Sequence, residues 1–307
     1  MTAAGDRASA DERAWTERPE RSNLVLLRLM VWISLHLGRA VGRLVLHGIA
    51  GYFFVFAPGA RRASADYLRR VLGRRPALAE RYRHLFDFAS TIHDRIYLLN
   101  DRFDLFDIDI VGEDAVRAAL SGGRGALLIG SHLGSFEVLG AVGRRYAEHP
   151  VSMLVFEGNA RMINATLAAI NPAATRDIVP LGRLDSLLVA KDKVDAGHLV
   201  GILADRSFGD DAGRDCAFLG APAPFPLGPW RIAAMLRCPV LFMTGLYLGG
   251  NRYRVHFELL ADFSQLERSG RDTAIAAAQR AFVGRLEDHC RAAPFNWFNF
   301  FDFWQGR

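Results

Sequence analysis

The stretch that most constrains this chain runs from Arg124 to Gly140, RGALLIGSHLGSFEVLG. Ala126 to Ile129 is a short apolar run bounded by glycines, which reads as a buried strand. Ser131, His132, Leu133 and Gly134 then make a turn, and Ser135 can cap a following helix carrying Phe136, Val138 and Leu139 on its apolar positions. His132 is therefore expected on a loop at the carboxyl end of a strand, the edge of an open α/β sheet where ligands bind. Glu137 is expected in the first turn of the next helix.

The spacing has a chemical consequence. On one continuous helix, residues five apart point about 140° away from each other. With His132 on the preceding turn, the chain can instead fold Glu137 back towards the imidazole. A carboxylate holding one ring nitrogen leaves the other free to act as a base, and Gly134 lets the backbone approach closely. The alternative is a surface histidine in a strand–helix loop, beside a glutamate that merely suits the helix dipole.

HLGSFE resembles the H-x-x-x-x-D/E signature of the lysophospholipid acyltransferase superfamily, closest to the late lipid A-type acyltransferases of Gram-negative bacteria. The resemblance implies that His132 is the general base and Glu137 orients it. Four further stretches follow in the family's order. Phe156 to Arg161 follows a strand and opens a helix, and by resemblance places Asn159 and Arg161 in substrate binding; helix capping by Asn159 is the plain alternative. Leu203 to Gly209 resembles the D-Q/R-x-x-G block, which puts Asp205 and Arg206 in acceptor or carrier binding; a local ion pair is the alternative. Phe218 to Ala223 resembles F-x-G-x-P-A, and Cys238-Pro239-Val240 resembles the x-P-V that enters the next strand.

The rest of the chain narrows the class. Strands at 106–111, 126–129, 151–155, 199–204, 240–246 and 253–260 alternate with helices at 113–120, 160–170, 184–196, 230–237 and 273–291. That alternation predicts an α/β fold with a mixed, largely parallel central sheet covered by helices. The expected organisation is a polar arm at 1–22, a helical, membrane-associated region at 23–100, and an α/β core at 101–307 forming one domain with it. Residues 1–20 have no apolar centre and do not read as a signal peptide. No G-x-S-x-G elbow is present, which argues against an α/β-hydrolase.

Net charge is +5, carried almost wholly by arginine, with Lys191 and Lys193 the only lysines. A basic balance fits an anionic partner. From Leu24 to Ala57 a long apolar run is broken by Arg28, Arg39 and Arg43, which fall in one sector of a helix. That predicts an amphipathic helix with a basic stripe facing an anionic bilayer, attached peripherally or as a single anchor and less clearly spanning; an ordinary first helix with a solvated charged face is the alternative. His84, Asp87, His93 and Asp94 lie near helical spacing, but surface or capping roles are expected ahead of metal binding. Cys216, Cys238 and Cys290 are isolated, which points to a reducing compartment. Seven of the eleven residues from Pro294 to Trp304 are aromatic, so that tail is expected to dock on the core, line an acyl groove or sit in a membrane interface.

Together these readings imply an acyltransferase at the cytoplasmic face of a bacterial inner membrane, with no cofactor or metal and no nucleic-acid partner. It would move an acyl group from a thioester, on acyl carrier protein rather than coenzyme A, to a hydroxyl or amine of a lipid acceptor. A thioesterase and a non-catalytic membrane-binding module remain as alternatives.

Overall fold

In the computed structural model the described residues are 21–139, 150–156, 165–171, 177–182, 185–206 and 213–304. Three helical segments lead: α1 (Arg21–Phe56), kinked at Gly38 (φ 84, ψ 169), α2 (Pro58–Leu72) and α3 (Leu78–Leu98). Proline at the first position of α2 suits its start, and Gly73 in the left-handed region (φ 66) closes it. α3 begins where Glu80 accepts a hydrogen bond from the Ala77 N–H at 2.7 Å.

Strands and helices then alternate as expected: β1 (Asp107–Val111), α4 (Glu113–Leu120), β2 (Leu127–Gly130), β3 (Val151–Phe156), β4 (Asp177–Leu181), α5 (Ser186–Asp195) and β5 (Leu199–Leu203). A hairpin of β6 (Arg214–Phe218) and β7 (Ala221–Phe225) follows, then α6 (Gly228–Leu236), β8 (Pro239–Tyr247), β9 (Arg252–Asp262) and α7 (Arg271–Ala292). The sequence pattern does not foresee β4 or the hairpin. Both carry prolines inside the strand, at Pro180, Pro222 and Pro224, and proline obscures a strand pattern because it cannot donate to a ladder.

The seven-stranded sheet has the order β1-β9-β8-β2-β5-β3-β4. β8, β2, β5, β3 and β4 run parallel; β9 lies antiparallel to β8, and β1 parallel to β9. β2 is central and buried throughout. A parallel strand covered on both faces needs a continuous apolar run, which is why Leu127 to Ile129 shows no alternation. One face, with Leu127 and Ile129, packs under the hairpin, α6, α7 and α2. The other, with Leu128 and Met243, packs under α4 and the end of α3.

α1 overturns the expectation for the basic stripe. Arg39 forms a two-point ion pair with the buried Asp94 of α3 at 2.8 Å and lies over the Phe106 ring. Arg43 reaches the Tyr247 hydroxyl at 3.1 Å and lies over Phe86. These two arginines face the protein; of the three, only Arg28 is exposed. The outward side instead carries Leu29, Trp32, Leu37, Leu44, Phe53 and Phe56. The physical reason is Asp94. A carboxylate this deeply buried needs a cation, and Arg39 supplies it. By length and composition, Leu27–Phe56 is also sufficient to cross a membrane, and only 22% of its most apolar window is buried.

Candidate functional site

The site is built by strand register. β2 and β5 are parallel neighbours, with Gly130 opposite Leu203. Two residues beyond that pair, at the carboxyl ends of both strands, stand His132 and Asp205. Asp205 Oδ1 meets His132 Nδ1 at 2.9 Å, and Asp205 Oδ2 accepts the His132 backbone N–H at 3.0 Å. The carboxylate thus extends the ladder by one rung and holds the ring that follows. A carboxylate on Nδ1 sets the tautomer with the proton there and the lone pair on Nε2. Among the described residues no hydrogen bond is made to Nε2, and the His132 side chain is 28% exposed while Asp205 is fully buried.

Burial alone would push the Asp205 carboxyl up. The His132 imidazole and backbone N–H, together with the neighbouring Arg206, more than offset this and hold it well below the usual carboxylate range. The resemblance assigns Asp205 to acceptor or carrier binding; its hydrogen bonds go instead to His132 and to the indole N–H of Trp297, at 3.1 Å.

Glu137, expected to hold the imidazole, engages Arg95 of α3 at 2.9 Å and accepts a hydrogen bond from the Ser135 hydroxyl at 3.2 Å. The acid bonded to Nδ1 is Asp205. Residues 136–138 form a bend and turn, so Glu137 does not lie on helical backbone; the helix expected after them falls outside the described residues beyond Leu139. Gly134 behaves as expected. It adopts φ 75, and a Cβ atom there would overlap the Gly245 carbonyl oxygen. That close approach lets the Ser135 N–H reach the same carbonyl at 2.8 Å.

The aromatic tail completes the site. Residues 296–298 lie antiparallel to the His132 loop: the Phe298 N–H donates to the His132 carbonyl and the Gly134 N–H to the Asn296 carbonyl, both at 2.8 Å. The Asn296 amide mimics a strand partner, accepting from the Tyr247 N–H at 2.7 Å and donating to the Tyr247 carbonyl at 3.0 Å. Arg206 donates to the Phe298 carbonyl at 2.8 Å and lies over the Phe301 ring. Of the expected site residues, the fold therefore brings His132, Asp205 and Arg206 together. Asn159 and Arg161 lie outside the described residues.

The histidines and aspartates of α3 serve structure. His84 bonds the Ser64 hydroxyl and the Trp297 carbonyl, His93 the Ser34 hydroxyl, and Asp94 Arg39 and the Tyr253 hydroxyl. Sequence reasoning misses Arg95, for which a lone helix arginine gives no signal. It marks the tail but not Trp297 as a partner of Asp205.

With this geometry in place, comparison with known proteins is decisive at the family level. The family model for bacterial lipid A biosynthesis acyltransferases matches residues 14–305. The chain belongs to that family. No individual curated protein matches it. Family membership makes it an acyltransferase-family protein with a lipid acceptor, and the match spans both α1 and the tail that closes the site.

Proposed function

We propose that the protein transfers a fatty acyl group from an acyl thioester to a hydroxyl or amine of a lipid acceptor, with His132 as general base. The hydrogen bond between His132 Nδ1 and Asp205 carries this reading. The acceptor hydroxyl attacks the thioester carbonyl while Nε2 takes its proton. Asp205 retains the Nδ1–H and stabilises the imidazolium that forms. Collapse of the tetrahedral intermediate expels the thiolate, which takes the proton back from Nε2 and leaves an ester and a free thiol. Arg206, Asn159 and Arg161 are assigned to substrate binding, while Glu137, through Arg95 and Ser135, fixes the loop beneath the base.

The acyl donor is assigned to acyl carrier protein because the chain is positive and arginine-rich, which favours an acidic partner. We place the protein on the cytoplasmic face of the inner membrane with the outward apolar side of α1 in lipid. A helix surrounded by lipid would not have its other side bonded to α3 and to Gly250 beyond β8, as Arg39 and Arg43 are. α1 therefore lies along the surface as a docked, half-immersed helix.

The test is acyl transfer from an acyl carrier protein thioester to membrane lipid, followed by mass spectrometry. His132→Ala is expected to lower turnover by about 10²–10⁴-fold with the fold intact. Asp205→Asn is expected to cost more than Glu137→Gln. Near wild-type turnover in His132→Ala removes the proposed base, and the reverse order for the two acids returns the orienting role to Glu137. Thiol release without acylated lipid supports the thioesterase instead.

A further inference from the structure

We infer that Trp297 is a positioning residue of the reaction: its indole N–H fixes the Asp205 carboxylate that holds His132. This rests on the function proposed above. Three donors converge on the two oxygens of Asp205. Oδ1 takes the His132 ring; Oδ2 takes the His132 backbone N–H at 3.0 Å and the Trp297 indole at 3.1 Å. The terminal torsion of an aspartate is broad, so a carboxylate held from one side alone swings readily. The indole adds a second donor to Oδ2 from a separate segment of the chain.

Trp297 is itself immobilised. It is fully buried, and its ring packs against Tyr67, Phe218 and Phe303 with centroids 5.0, 5.2 and 4.9 Å away. Its carbonyl is bonded to His84 Nε2 at 3.0 Å, and the residues on either side are hydrogen-bonded to the His132 loop. Trp297 and His132 are thus referenced to one another through backbone as well as through Asp205.

A buried indole N–H usually finds an acceptor, so this bond alone could be incidental. Trp230 provides the contrast within the same core: it is equally buried, and its indole nitrogen has no hydrogen-bond partner among the described residues. Among the described residues, burial therefore does not by itself secure a partner for an indole, whereas the Trp297 indole meets the carboxylate that holds His132. An N–H donor also spreads the carboxylate charge. Its removal leaves more of that charge on the imidazole side, which stabilises imidazolium and raises the pH at which the base becomes protonated.

Trp297→Phe removes the donor and keeps a ring in the core. In acyl transfer from acyl carrier protein thioester it is expected to lower kcat by about tenfold, with KM changed less than about twofold. The acidic limb of the pH–rate profile should move to higher pH. In an Asp205→Asn background the same substitution should cost less than about twofold, since a residue acting through Asp205 has little left to position. Equal costs in the two backgrounds, or an unmoved acidic limb, overturn the inference and show that Trp297 only packs. A second measurement is independent of turnover. In the full chain labelled with ¹⁵N-histidine, with the His132 signals assigned by their loss in His132→Gln, Trp297→Phe should raise the pH midpoint of His132. An unchanged midpoint overturns the inference whether or not the protein transfers acyl groups. Absence of transfer by the wild-type chain with an upward-shifted midpoint would overturn the proposed function alone.

Discussion

Two aromatic, apolar stretches sit at opposite ends of the described chain, and they meet opposite fates. In the tail, Trp297, Phe298 and Phe303 are buried, and the backbone beside them is stitched to the His132 loop. On α1, Trp32 is 52% exposed, Leu44 73% and Phe56 68%, while Arg39 and Arg43, in the part beyond the kink at Gly38, turn inward. Apolarity does not distinguish the two. What does is where their polar neighbours find partners. The tail offers Asn296, an indole N–H and backbone groups to a loop that needs them. α1 offers Arg39 to a buried carboxylate, and once that arginine is drawn inward the apolar side of the segment beyond Gly38 must face out.

The two stretches differ most at their tryptophans. Trp297→Ala should destabilise the protein by about 3–5 kcal/mol in equilibrium denaturation, whereas Trp32→Ala should stay within about 0.5 kcal/mol in detergent solution. Similar losses at both positions would mean that the outward side of α1 is covered by protein.

The arginines give a second contrast, of nearly the same size. Arg39→Gln leaves Asp94 buried with the Tyr253 hydroxyl but without its cation, and should cost about 3 kcal/mol in the same measurement. Arg28→Gln, at an exposed position, should be neutral to stability. If Arg39→Gln released protein from vesicles without destabilising it, the stripe would face lipid after all.

A third contrast is read by vesicle flotation. Leu44→Ser should weaken partitioning by about tenfold, since full burial of a leucine side chain contributes about 1.5–3 kcal/mol. Arg28→Gln should weaken it less, by about 1 kcal/mol on anionic vesicles and not at all on neutral ones. Partitioning that follows the charge and ignores Leu44 would contradict lipid contact through the apolar side.

The smallest effect sharpens the picture of the tail. His84, which bonds the Trp297 carbonyl, is fully buried, and desolvation lowers its pKa to about 4 although the carbonyl pulls it upward. Its unfolded value is near 6.5. Between these values the unfolded chain binds a proton that the folded chain does not. Stability should therefore fall as pH drops from about 6.5 to 4, by up to about 1.4 kcal/mol per pH unit for this group. His93 and His289, also lowered to about 4 chiefly by burial, act in the same direction. Denaturation midpoints across that range should show a shallower slope in His84→Gln; an identical slope would exclude His84 as a contributor.

Read alone, the amino-acid sequence establishes the class of fold, most of the strands and the position of His132 at a strand end. These follow from local rules: apolar runs, glycine punctuation and helix periodicity act over a few residues. It also marks Asp205 and Arg206 as belonging to the same edge of the sheet. That Asp205 is the acid on the imidazole follows from the assembled fold alone. The pairing joins residues 73 apart, and it exists because β5 inserts beside β2 although β3 and β4 lie between them in the chain. The same holds for Trp297, 92 residues beyond Asp205, and for Arg95 against Glu137. Sequence spacing places Glu137 nearest to His132, but hydrogen bonds follow distance in space, and strand order and register set that distance only once the whole sheet has assembled.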